Sequence, residues 1–168
     1  MIVYHGSNTV IEVPKLIMQN RALDFGKGFY TTENKQQAVS FADKVFLRRK
    51  EGQPIVSVYE FDEVQAFSVC SLLRFDLPDE TWLDFVSANR NRTFQGDSYE
   101  LVYGPVANDD VFVTFALYAA GELSKDETLS RLKIKNLYNQ LVFSSERALS
   151  FLKYTGTLED KRNDNGTE

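Results

Sequence analysis

Asp24-Phe25-Gly26-Lys27-Gly28-Phe29-Tyr30-Thr31-Thr32 sets two glycines immediately before an aromatic and β-branched run. Glycine accepts backbone angles closed to other residues, so this spacing predicts a tight turn feeding directly into a strand. The turn does not fit the common phosphate loops. Gly26-Lys27-Gly28 lacks the four-residue spacer and the following Ser or Thr of a nucleotide-hydrolase loop, and it precedes a strand rather than a helix. Nor does it complete a dinucleotide fingerprint, because Thr31 stands where a third glycine belongs.

Upstream of this turn, Ile2-Val3-Tyr4 reads as a short strand ending at His5-Gly6-Ser7, and Pro14 then opens a loop with room for one short helix before Asp24. Downstream, Asn34 is an N-cap. Ala38, Phe41, Ala42, Val45 and Phe46 then recur at spacings of three and four, which predicts an amphipathic helix ending near Gly52. Strands are predicted at Ile55 to Phe61 and Val69 to Phe75, and Pro78-Asp79-Glu80 opens a helix with Trp82, Phe85 and Val86 on one face. Asn89 to Asp97 reads as a polar surface loop bearing Arg90 and Arg92. Leu101 to Tyr103 is a strand, a helix runs from Asp109 or Asp110 through Ala120, and Ser124 with Glu127 forms a capping box. In Asn139-Gln140-Leu141-Val142-Phe143, Gln140 and Val142 share one face and Leu141 and Phe143 the other. Ser145 caps a last helix from Glu146 to Leu152. Strands and helices mix without strict alternation, so the fold class is α+β with a mostly antiparallel sheet. Residues 1–156 read as one domain and 157–168 as a polar, disordered tail.

Composition removes several classes of function. The 168 residues carry 19 Lys plus Arg against 24 Asp plus Glu, a net charge of −5, so no overall positive field gathers nucleic acid. One cysteine, Cys70, sits in an apolar run and reads as a buried inert thiol. One histidine, His5, cannot build a multi-His metal site. A reducing cytoplasmic setting is the expectation, with no membrane span and no cleavable leader. No serine lies in a nucleophile elbow.

Two segments stand out together. Tyr4-His5-Gly6-Ser7 resembles the His-Gly-Ser motif, and Phe25-Gly26-Lys27-Gly28-Phe29-Tyr30 resembles the Phe-Gly-Lys-Gly-x-Tyr motif, of the diphtheria-toxin-like ADP-ribosyltransferases, which include the poly(ADP-ribose) polymerases. In that superfamily a late strand carries a glutamate in an Asn-Glu-Tyr context, where this chain has Asn139-Gln140-Leu141. The three blocks occur in the superfamily's order. The chain also resembles a small bacterial family of unknown function built on that fold. Such families often resemble toxins encoded beside small antitoxins.

The resemblance implies an ADP-ribosyltransferase-like fold of two packed, mostly antiparallel sheets flanked by helices. It implies NAD as substrate, transfer of ADP-ribose to a macromolecular acceptor, and a cognate antitoxin as a partner. Carried over, His5 bonds a ribose hydroxyl, Gly6 holds the nicotinamide carboxamide with its backbone, and Ser7 adds a polar contact. Tyr30 stacks on the nicotinamide, and Gly26 and Gly28 allow the close backbone approach. Lys27 reads as solvated. Gln140 departs from the pattern: its amide oxygen accepts a hydrogen bond but carries no charge and cannot take a proton. A slow enzyme, another base (Asp109, Asp110 or Glu146), or a self-sufficient acceptor follows. A weakened NAD-binding module and an NAD glycohydrolase also stay open, as does a plain strand-edge role for Gln140. Asn108 reads as a turn residue sooner than as one that reaches the cleft, Asp109 and Asp110 equally as helix caps, Glu146 as a first-turn helix residue, and the loop of Arg90 and Arg92 as solvated sooner than as one that meets the acceptor.

Overall fold

The computed structural model describes residues 1–16, 23–106, 109–133 and 138–158, the side chains of 109–112 and 133 excepted. Asn108, the side chains of Asp109 and Asp110, and 159–168 of the expected tail lie outside the described residues. The elements are β1 (Ile2–Ser7), β2 (Phe29–Thr32), α1 (Lys35–Arg49), β3 (Ile55–Phe61), α2 (Glu63–Val69), β4 (Leu72–Arg74), α3 (Glu80–Arg90), β5 (Leu101–Pro105), α4 (Asp109–Ala119), α5 (Lys125–Lys133), β6 (Asn139–Phe143), α6 (Glu146–Leu149) and β7 (Leu152–Thr157).

The fold is α+β, and the expectation of two separate sheets needs correction. The strands form one seven-stranded sheet in the order β4-β5-β6-β2-β1-β3-β7, antiparallel except for β4 with β5. The shortest ladder joins β1 to β2 through a single registered pair, Tyr4 opposite Thr32. By contrast, β1 pairs β3 along its whole length, from Ile2 to Ser7. In a flat sheet β3 and β6, three strands apart, would lie about 14 Å from each other. Phe61 of β3 nevertheless meets Phe143 of β6 edge to face, with ring centroids 5.1 Å apart. The sheet therefore turns over at its weakest junction and closes on itself. Val3, Phe29, Tyr59, Phe61, Leu101, Leu141 and Phe143 fill the interior, with Ala66 of α2 and Ala148 and Leu149 of α6.

On the other face, α1 covers β1 and β3 through Ala38 and Ala42 against Tyr4 and Val56. A second layer from α3, α4 and α5 brings Trp82, Leu83, Phe85, Val86, Phe115, Leu129 and Leu132 onto Val102 and Val142. Trp82 is fully buried and its indole N–H donates to the Pro105 carbonyl at 2.9 Å.

The locally coded features are present. Asn34 caps α1 by accepting from the Gln37 amide at 2.9 Å, Asp79 caps α3, and Ser145 caps α6. Ser124 and Glu127 form the reciprocal box, the Ser124 amide donating to Glu127 Oε2 at 2.9 Å and the Glu127 amide to Ser124 Oγ at 3.2 Å. Cys70 is buried, and burial raises its thiol pKa.

Four expectations change. The last helix stops at Leu149, and Leu152–Thr157 is instead an edge strand on β3, so Thr157 belongs to the sheet, opposite Ser57. The segment 69–75 keeps only Leu72–Arg74 as strand, preceded by the unforeseen α2. Phe41 lies off the buried stripe of α1 and is exposed. Arg90 closes α3 and binds Asp24 rather than standing in solvent.

Candidate functional site

The turn before β2 is built as its glycines suggest. The Gly26 amide donates to the Leu23 carbonyl at 3.1 Å, and Gly26 takes φ +79°, open to glycine at little cost. Gly28 is constrained by space instead: a Cβ there would sit 2.5 Å from Val142 Cγ1 and 2.8 Å from the Phe143 carbonyl oxygen. Ser144 Oγ donates to the Lys27 carbonyl at 3.0 Å, fastening the turn to the end of β6, while the Lys27 side chain is exposed.

Tyr30 returns to this turn. Its hydroxyl donates to the Gly26 carbonyl at 2.7 Å and accepts from the Phe25 amide at 3.1 Å. Burial, with the Asp24 carboxylate nearby, raises the phenol above its ordinary value, so it stays protonated and able to donate. The ring packs against the cluster of α3, α4 and α5.

His5 is tied to the same strand from the other side. Its Nδ1 lies 2.7 Å from the Tyr30 carbonyl oxygen, and its ring stacks on Phe29 with centroids 4.2 Å apart. A carbonyl only accepts, so Nδ1 carries the proton. Burial lowers the imidazole pKa, against the smaller opposing pull of the Tyr30 carbonyl. His5 is therefore neutral at pH 7, with the lone pair on Nε2. A ligand hydroxyl could donate to it.

That burial has a measurable consequence. Between the ordinary value of 6.5 and its lower folded value, the unfolded chain binds a proton that the folded chain does not. Stability is thus fully present above about pH 6.5 and declines as pH falls through that window. His5 is the only histidine. Urea midpoints at pH 7.5 and 5.5 are expected to separate more in the parent than in His5→Gln; equal separations would show His5 titrating alike in both states.

The register decides which groups share a face. Tyr4 opposes Thr32, and Thr32 opposes Gln140, so Gly6, Tyr30, Thr32 and Gln140 lie on one side of the sheet. His5 leaves on the other side, with Phe29. The two rings are joined through the Tyr30 main chain and do not face each other across a gap. A pyridine sandwiched between imidazole and phenol therefore does not fit. On the face shared by Gly6, Tyr30 and Gln140, α1 lies directly over Gly6 and the Tyr30 ring packs on the helical cluster, while the unbonded nitrogen of His5 is Nε2. Ser7 is buried as the last residue of β1, opposite Ile55.

Of the substitute carboxylates, Glu146 starts α6 beyond the far end of β6 and is not brought to Gln140, which pairs near the strand's beginning. Two features escaped the sequence. One is the ion pair of Arg90 Nε with Asp24 Oδ1, 2.7 Å long and largely buried. The other is a bonded set on the opposite face of the sheet from Gln140, in which Tyr103 donates to Glu33 Oε2 at 3.0 Å and accepts from Asn139 Nδ2 at 2.9 Å. Glu33 follows Thr32 directly, but its meeting with Tyr103 depends on the pairing of β2 and β5 with β6, which no local signal carries.

Fold and site together define an α+β protein with a mixed seven-stranded sheet and a histidine–tyrosine junction at the turnover between its halves. The chain belongs to the family described as "Protein of unknown function (DUF3990)", whose model matches residues 1–154. A search of curated proteins finds no match. Among the described residues no helix is long and apolar enough to cross a membrane.

Proposed function

We propose that the protein is an NAD-dependent mono-ADP-ribosyltransferase. The observation that carries this reading is the hydrogen bond from the His5 imidazole to the Tyr30 main chain. It unites the two motif segments, 25 residues apart, and fixes the histidine as an acceptor at Nε2.

In this reading the Gly6 backbone and the Tyr30 ring hold the nicotinamide, with Ser7 and Gly28 shaping the turn and strand end. His5 Nε2 accepts from a ribose hydroxyl. The bond between the ribose anomeric carbon and the pyridine nitrogen breaks, its electron pair leaves with nicotinamide, and the ribose becomes oxocarbenium-like. An acceptor nucleophile then bonds to that carbon and loses its proton. Gln140 Oε1 accepts from a ribose hydroxyl and orients it, but supplies neither the negative charge nor the base of a glutamate. Loss of a positioned base commonly costs about 10²–10⁴-fold in rate. The reaction is correspondingly slow, or the acceptor is nucleophilic unaided.

Incubation with NAD labelled on its adenine side tests the proposal. Label retained on a macromolecule supports transfer. Saturable binding without nicotinamide release supports a binding module, a reading that the neutral Gln140 favours, and nicotinamide without retained label supports hydrolysis. Gln140→Glu is expected to raise nicotinamide release by about tenfold or more, because it restores the missing charge beside the ribose. Release unchanged in both Gln140→Glu and Gln140→Ala would remove Gln140 from the site. Growth on regulated expression, with and without the adjacent gene, tests a toxin role and its antitoxin.

A further inference from the structure

We propose that Arg90 and Asp24 form a positioning device that sets the orientation of the Tyr30 ring; its catalytic consequence rests on the transferase reading above. The Tyr30 hydroxyl is held at both ends by the turn, at the Phe25 amide and the Gly26 carbonyl. The hydroxyl end of the ring therefore moves with residues 25 and 26, while the cluster of α3, α4 and α5 packs its body. Residues 24 to 26 are fastened to the end of α3, 60 or so positions later in the chain. Arg90 Nε donates to Asp24 Oδ1 at 2.7 Å across 66 residues of sequence. The guanidinium also lies over the Phe115 ring of α4, 4.6 Å from its centroid. Beside it, Gly26 sits so close to Asn89 that a Cβ would fall 2.9 Å from Asn89 Oδ1, and Asn89 Nδ2 is held by the Phe85 carbonyl at 3.0 Å.

The pair differs from an ordinary surface salt bridge. The side chains of Arg90 and Asp24 retain 22% and 11% of their exposure, so solvent screens them little and removing one partner leaves a poorly hydrated charge. Arginine also meets two demands together, a directional Nε–H to the carboxylate and a flat face on Phe115. Lysine offers a point charge and neither. Phe115, Arg90, Asp24, the turn and the Tyr30 hydroxyl thus form a continuous chain of contacts from the helical layer to the candidate site. Arg90 does not touch substrate in this scheme; it acts through Tyr30.

The test uses the full chain labelled with ¹³C-tyrosine, the Tyr30 ring resonance being assigned by its loss in Tyr30→Phe. Arg90→Gln is expected to shift that resonance and to lower kcat for nicotinamide release by about tenfold to a hundredfold, the scale of a misplaced catalytic group. Arg90→Lys should fall between Arg90→Gln and the parent. Asp24→Asn keeps the shape of the side chain and serves as the second variant if Arg90→Gln does not fold. An unmoved Tyr30 resonance in the folded variant overturns the proposal, as does a moved resonance with unchanged turnover. If the parent releases no nicotinamide, the transferase reading fails by itself, and the ring resonance alone then decides whether the pair positions Tyr30.

Discussion

Gly6→Ala is expected to lower the unfolding free energy by about 3 kcal/mol or more, the upper end of what overpacking a rigid interior costs. The added Cβ would lie 2.2 Å from the Ala38 carbonyl oxygen and 2.8 Å from the Ala42 amide nitrogen, with the Ala38 carbonyl carbon at 3.2 Å. All three are backbone atoms of α1. No rotamer change relieves them, so either the helix lifts from the sheet or β1 bends. Lifting the helix also uncovers Tyr4 and Val56, which pack with Ala38 and Ala42. Against a typical stability of roughly 5–15 kcal/mol, this is a large fraction. Urea unfolding by circular dichroism measures it. A loss under about 1 kcal/mol would mean that α1 is free to move. The same close approach explains why α1 buries alanines rather than the larger Phe41.

What the sequence discloses and what it hides divide along the range of the interaction. The caps at Asn34, Asp79, Ser124 and Ser145 are readable because donor and acceptor stand three residues apart. The buried face of α3 is readable because Trp82, Phe85 and Val86 recur at helical spacing. β7 is not readable in this way. As an edge strand it has one partner, its residues alternate only between partly buried and exposed, and Gly156 at φ +139° blurs its strand propensity. α2 is too short, at seven residues, to establish a period. In the site, residue types at His5, Gly6 and Tyr30 are legible as motifs. The face each side chain takes is not, because it depends on the pairing of Tyr4 with Thr32 across 28 positions. A one-residue slip would reverse it. The Asp24–Arg90 pair is more distant still, and no pattern of spacing encodes it.

Tyr30 yields the largest expected functional effect, and two substitutions separate its structural task from its chemical one. Tyr30→Phe removes a hydroxyl that satisfies both the Phe25 amide and the Gly26 carbonyl. Leaving such groups unpaired costs about 1–3 kcal/mol, but the ring and its stacking face remain. Tyr30→Ala removes the ring from the cluster that includes Phe25, Phe85 and Val142, at a cost of about 3–5 kcal/mol by analogy with other aromatic truncations. If the ring holds nicotinamide in the plane needed for bond cleavage, Tyr30→Ala should lose nicotinamide release by about a hundredfold or more even where it is fully folded. Tyr30→Phe keeps the stacking face but cuts the same tether to the turn as Arg90→Gln, so it should lose release by about tenfold to a hundredfold, less than Tyr30→Ala, while unfolding at lower urea. Both variants are compared at a temperature where circular dichroism shows them native, so that population does not masquerade as rate. Equal turnover in the two would mean that the ring acts only through packing, and the nicotinamide end of the substrate would then have to be sought elsewhere on the face shared by Gly6 and Gln140.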